Sequence, residues 1–206
     1  MLQISDLHGS DTALGKSREL MDEYSPDLFL VTGDITNFGP LSYARELFRG
    51  LSVKAYGIPG NCDPKDMVSL LEEMGVNLHC RKETFGGETI IGFGGSSPTP
   101  FHTPFELPEE EILASLKPLM VRDAILAIHS PPKGHVDFLE WSGHVGSHSL
   151  KMLVDEYRPR LVLCGHIHEA RGVERGGTTF VNPGPAYQGC AAIIDLEEEM
   201  KVTLLP

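Results

Sequence analysis

The chain has 206 residues, of which 41% are hydrophobic, and a formal net charge of -12; the expectation is a single domain over residues 1–206, large enough for a sizeable core. No apolar run approaches the roughly 18 residues that would cross a bilayer, and Asp6 and His8 interrupt any leader-like segment at the start, so the expected location is the cytoplasm, with no membrane partner. The acidic balance repels a phosphate backbone and argues against a duplex nucleic-acid partner.

Residues 2–5 read as a short strand, and 11–24 as a helix capped by Ser10 or Asp11 and ended by Ser25-Pro26. "DLFLVTGD" (27–34) is a continuous apolar run, the mark of a strand buried on both faces. A helix over 40–50 and a strand over 53–60 come next. Asp63-Pro64 reads as a cap followed by proline at the first helical position, starting a helix that runs to about 75. A strand spans 88–95, then a Pro- and Thr-rich loop 96–107, a helix 108–118 and a strand 123–129. A second long loop, 130–145, precedes a helix over 147–157 and a strand over 160–166; short strands and turns fill the rest, from about 173 to 205. The alternation in the first half predicts a parallel sheet with right-handed crossovers. The two long loops exceed ordinary connectors and are candidate walls of an active site. The first strand, though minimal, is expected to be central and buried.

The residues at the ends of the apolar runs carry the chemistry. "LQIS" leads into Asp6-Leu7-His8, "LFLVTG" into Asp34, "AYGIPG" into Asn61, "AILAI" into His129, and "LVLCG" into His166-Ile167-His168. In open α/β sheets ligands gather outside the carboxyl ends of the strands, so these residues should converge on one crest. Two aspartates, one asparagine and four histidines supply eight contacts to two cations if one carboxylate bridges. A mixed nitrogen and oxygen shell without thiolate suits divalent manganese, iron, nickel or zinc, manganese first. Gly33, Gly60 and Gly165 precede ligand positions and keep bulk away from the ions.

"SDLHG" (5–9), "GDITNFGP" (33–40), "GNCD" (60–63), "HSPP" (129–132) and "GHIH" (165–168) resemble, in order, the five blocks of the calcineurin-like metallophosphoesterase superfamily. "HVGSHSL" (144–150), "CGHIHEARG" (164–172) and "NPGPA" (182–186) resemble the small prokaryotic Icc-related phosphoesterases. The resemblance implies a four-layer α/β/β/α sandwich with two mixed sheets and a dimetal centre. It implies that Asp6, His8 and His168 hold one metal, that Asn61, His129 and His166 hold the other, and that Asp34 bridges. The expected reaction is hydrolysis of a phosphate ester, a small-molecule or nucleotide phosphodiester first, by a dimetal-activated hydroxide.

Where many relatives carry a histidine, this chain has Cys62. That histidine is associated with the family's leaving-group protonation. A Cys62 thiolate formed beside the cations would be a poor acid, so aryl esters are expected to be favoured over alkyl esters. Besides Asp34 and Asn61, His144 in the second loop is a candidate catalytic residue, to contact phosphate or donate a proton. His102 is a weaker candidate. His79, His135 and His148 read as exposed polar residues, Asn182 as support for the site, and Cys164 as core. Glu109-Glu110-Glu111 and Glu197-Glu198-Glu199 read as solvated helix-start and turn residues. None of the four cysteines forms a C-x-x-C pair, and all are expected as reduced thiols. The rival functions are a nuclease on short oligonucleotides, weakened by the lack of a basic stripe or stacking platform, and an interaction scaffold, weakened by the full ligand set. A homo-oligomer is left open.

Overall fold

A computed structural model describes residues 1–196 and 200–206; the turn expected at Glu197, Glu198 and Glu199 lies outside the described residues. Two sheets carry the fold. The first takes β1 (Leu2–Ile4), β2 (Leu28–Thr32), β3 (Lys54–Ile58), β12 (Ala191–Asp195) and β13 (Lys201–Leu205), in the order β13-β12-β1-β2-β3. The second takes β4 (Arg81–Phe85), β5 (Glu88–Phe93), β6 (Ile125–Ile128), β9 (Leu161–Leu163), β10 (Gly172–Glu174) and β11 (Thr179–Asn182), in the order β10-β11-β9-β6-β5-β4. Neighbours within β1-β2-β3 and within β11-β9-β6-β5 are parallel, while β12, β13, β10 and β4 join antiparallel. The sheets are therefore mixed, with parallel centres.

The continuous apolar runs divide by parity between two interfaces. In β2, Phe29 and Val31 pack outward against helices α1 (Asp11–Tyr24), α2 (Ser42–Phe48) and α3 (Met67–Glu73), meeting Leu14, Leu20, Leu47 and Leu70. Leu28 and Leu30 point inward and join Ile58, Ile90, Ile125, Leu161 and Leu163 between the sheets. In the second sheet Leu126, Ile128 and Val162 face out against α4 (Glu109–Leu116) and α5 (His148–Tyr157), through Ile112, Leu116, Leu150 and Leu153. The result is the four-layer α/β/β/α sandwich. Burying a leucine or isoleucine side chain stabilises by about 1.5–3 kcal/mol, so strands with two buried faces form the most stable part of the chain.

β1 lies between β12 and β2 with Leu2 and Ile4 buried, so three residues make a central strand. α1 begins where expected: Ser10 Oγ accepts from Ala13 N at 3.2 Å. α5 is capped the same way by Ser147, whose Oγ accepts from Leu150 N. Other readings need correction. α3 starts at Met67 with Asp66 at its cap position, because the Asp63 carboxylate is committed elsewhere. β4 was not expected, since its exposed polar edge carries no apolar run. The second long loop contains a hairpin, β7 (Phe138–Leu139) with β8 (Gly143–His144). Glu110 and Glu111 are exposed, but Glu109 is half-buried and accepts from Ser147 Oγ (2.7 Å) and Ser149 N (2.8 Å), tying α4 to the start of α5.

Candidate metal centre

The carboxyl ends of β1, β2, β3, β6 and β9 open onto one crest, and all seven expected residues meet there. Asp34 lies in the middle. Its Oδ2 is 3.7 Å from His8 Nε2, and its Oδ1 is 3.4 Å from His129 Nε2. His8 Nε2 is 3.4 Å from His168 Nε2, and His168 Nε2 is 3.3 Å from Asp6 Oδ1. On the other side His129 Nε2 is 2.9 Å from Asn61 Oδ1, and the His129 and His166 rings are 5.0 Å apart.

The backbone bends hard to deliver these groups. Asp6, His8, Asp34 and His166 all have φ between 47° and 67°, a left-handed conformation that costs a non-glycine residue of order 1–3 kcal/mol and gathers at functional sites. The loops are stitched across the crest: Asp6 N donates to Gly33 O, and His8 N to Asp34 O. Two glycines are demanded by close approach. A Cβ at Gly60 would strike the backbone and carboxylate of Asp34, and one at Gly165 would strike Ser5 and the Asp6 carboxylate.

Surrounding hydrogen bonds aim the donor atoms. His129 Nδ1 donates to Thr32 O at 2.8 Å, which leaves Nε2 for a cation. Asn61 Nδ2 donates to Thr103 Oγ1 at 3.0 Å, which turns Oδ1 inward. Glu106 in turn accepts from Thr103 N and Oγ1. Cys62 N donates to Asp34 Oδ1 at 2.8 Å, and His166 N to the Asp6 carboxylate. The Asp63 carboxylate accepts from Ile35 N, Thr36 N, Thr36 Oγ1 and Gly60 N, locking the Asp34 loop to the Asn61 loop. It is this duty, hidden behind an apparent helix-cap motif, that keeps Asp63 from capping α3.

The electrostatics suit cations. Burial opposes ionisation of Asp34, but the charge and hydrogen bond of His129 outweigh it and hold the carboxyl below its ordinary value. Asp6 is likewise held down, burial being outweighed by the His168 hydrogen bond and the His129 charge. Burial lowers His166 to about 4 and keeps it neutral, as a ligand must be. Burial also lowers His129, but Asp34 overcomes this and carries it to about 9, so a cation binding at its Nε2 would have to displace a proton. Two buried carboxylates, a carbonyl oxygen and four imidazoles fit divalent metals. The sets Asp6-His8-His168 and Asp6-Asp34-His129 each place one donor atom per residue within 4.8 Å of the others.

Other candidates lie elsewhere. His144 stands on β8, its Nδ1 2.6 Å from Asp137 Oδ1, outside the seven-residue cluster. His102 is exposed in the first loop, next to Thr103. His79 is not exposed: its ring packs against Phe93 and Phe105, its Nδ1 accepts from Gly94 N, and burial lowers it to about 4. His135 is half-buried, stacked 3.9 Å from the Phe180 ring and paired with Glu174. His148 is exposed as expected, Cys164 is buried, and Asn182 Nδ2 supports the "GHIH" loop through Ile167 O at 2.8 Å. Burial first, then Asp34, push the Cys62 thiol up, so a thiolate there would depend wholly on the cations. Thr103, Tyr187 and Asp137 carried no sequence signal. Tyr187 packs against His8 and His168, its hydroxyl 3.4 Å from His168 Nδ1.

A four-layer sandwich with aspartates, histidines and an asparagine on one crest defines a metal-dependent phosphoesterase. Residues 1–170 match the sequence model of the calcineurin-like phosphoesterases, and the chain belongs to that family. It is 34% identical over 192 residues to the uncharacterized protein MJ1162 of Methanocaldococcus jannaschii, covering 88% of this chain and 86% of that one. It is 28% identical over 183 residues to the "probable cyclic nucleotide phosphodiesterase" of a Synechococcus species, covering 82% and 68%. The crystal structure of TT1561 from Thermus thermophilus has the same fold, with a TM-score of 0.73, 21% identity and coverage of 98% and 96%. Among the described residues no helix is long and apolar enough to cross a membrane.

Proposed function

We propose that the protein hydrolyses a phosphodiester of a small molecule or nucleotide at a pair of divalent cations. Asp6, His8 and His168 would hold one ion, Asn61, His129 and His166 would hold the other, and Asp34 would serve both. The observation that carries this reading is the Asp34 carboxylate, which offers Oδ2 to the His8 side and Oδ1 to the His129 side. Bound cations would supply a hydroxide at neutral pH and neutralise charge on the phosphoryl oxygens. The chain's own work is to hold seven donors in place before any ion arrives. Thr32 O and Thr103 Oγ1 fix the ring of His129 and the amide of Asn61. Asp34 and Asn61 border the reacting phosphoryl group, and His144 delivers a proton to the leaving oxygen. The activity for which the Synechococcus relative is named supports a diester. The net charge of -12 favours a small ester over duplex nucleic acid and over an anionic membrane surface.

The test is elemental analysis with a panel of mono- and diesters under manganese, iron, nickel and zinc. Two ions per chain and diester turnover, highest with manganese and abolished by a chelator, are expected. A chain loaded with two ions that cleaves no phosphate ester would overturn the reading.

A further inference from the structure

The leaving oxygen needs an acid, and position 62 carries a thiol. Asp137 is fully buried at the start of the β7–β8 hairpin. Its Oδ2 accepts from Gly134 N (3.0 Å) and Gly146 N (2.8 Å), and its Oδ1 accepts from His144 Nδ1 at 2.6 Å. Two backbone donors already staple the loop. The third bond is short, as charge-assisted bonds are, and it goes to an imidazole whose side chain is 49% exposed. Among the described residues no protein group is hydrogen-bonded to His144 Nε2.

The hairpin is placed beside the crest. The loop leaves directly from His129, and Val136 N is pinned to Glu174 Oε1 at 2.8 Å. His144 pairs with Phe138 across the hairpin, and β7 packs against the turn His168–Ala170. His144 therefore stands about one strand spacing from an element that touches a metal-site turn. The charged group bonded to it is Asp137, and the Phe138 ring meets the imidazole edge-on at 5.3 Å.

We propose that Asp137 is the positioning residue for His144, holding its ring so that Nε2 is the nitrogen that carries the transferable proton. The proposal rests on the phosphodiester reading above. A buried carboxylate on Nδ1 fixes the tautomer with the proton on that nitrogen and raises the basicity of the other. Protonated His144 gives its Nε2 proton to the leaving oxygen as the P–O bond breaks and its electron pair passes to that oxygen. The neutral ring then regains a proton from solvent.

Nitrogen-15 NMR of the histidines tests the positioning without any reaction. Neutral wild-type His144 is expected with its proton on Nδ1, and Asp137→Asn is expected to abolish that preference. In turnover, His144→Gln and Asp137→Asn should each lower kcat for an alkyl diester by about 100-fold or more, with KM little changed and a smaller loss for an aryl diester. Amide NMR signals of Val145 and Ser147, whose N–H groups bond Asp137 O and Pro131 O, report whether the hairpin is intact in each variant. His144→Gln, at an exposed position, keeps the test alive if Asp137→Asn unfolds the loop. A wild-type His144 protonated on Nε2, or an alkyl-to-aryl ratio that ignores an intact variant, overturns the proposal alone. A fully metallated wild type that cleaves no diester removes the functional reading and the proposal with it.

Discussion

The two halves of the crest differ in enclosure. On one side the His129 side chain is fully buried, its Nδ1 donates to Thr32 O, and Asn61 Nδ2 donates to Thr103 Oγ1. On the other side the side chains of His8 and His168 are 21% and 29% exposed, and their cover is the edge of Tyr187. The enclosed half has its geometry fixed by the fold before any ion binds. The open half has to draw part of its order from the ion. An ion on the open side should therefore exchange faster, and chelation should remove it first.

The largest effect is expected where the halves join. Asp34→Asn should lower kcat by more than the roughly 10–100-fold that outer partners of a ligand command, and should loosen both ions together. Two retained ions with near-wild-type turnover would remove the bridge. Gly60→Ala should damage the enclosed half sterically, destabilising the fold by about 1–3 kcal/mol in urea unfolding and costing metal on that side, because its Cβ has no space beside Asp34. Unchanged stability and stoichiometry would mean that the two loops are not packed as described.

Thr103→Val removes the acceptor that orients Asn61. It should weaken the enclosed ion by about 10–100-fold and leave the open ion unchanged, read by competitive chelator titration. Equal weakening of both would erase the distinction between the halves. Tyr187→Phe should affect only the open ion, and by less, since one ordinary hydrogen bond is worth about 0.5–1.5 kcal/mol.

The smallest effect is a control at a carboxylate outside the seven-residue cluster. Three donors, Ser147 Oγ, Ser149 N and His148 N, hold Glu109 below its ordinary carboxylate value, against the opposing and largest influence of burial. A carboxylate depressed in the folded state adds stability above its unfolded pKa, and that stability is lost as pH falls through the folded one. Glu109→Gln should therefore lower stability near neutrality, and the difference should shrink in acid, with metal content unchanged. A pH-independent difference would show that the bonds matter only as neutral contacts.

The readings that succeeded came from patterns that local chemistry enforces. Apolar runs such as Leu28–Thr32 had to be buried on both faces, and the polar residues at their ends had to emerge together at the carboxyl edge of parallel strands. β4 stayed hidden because an exposed polar edge strand has no burial pattern to display. Asp63 was misread because an acid before proline looks the same whether it caps a helix or staples two loops. His79 and His135 were misread as exposed because the partners that cover them, Phe93, Phe105 and Phe180, are brought in from elsewhere in the chain.

The sequence by itself determined the buried strands and the gathering of seven polar residues at one crest, because strand periodicity and residue chemistry are local properties; the four layers followed from the family resemblance. Only the tertiary structure decided which donor atom faces which neighbour, how enclosed each half is, and that Asp137 grips His144. Those features depend on hydrogen bonds and ring contacts between segments far apart in the chain, and spacing along the sequence does not encode them.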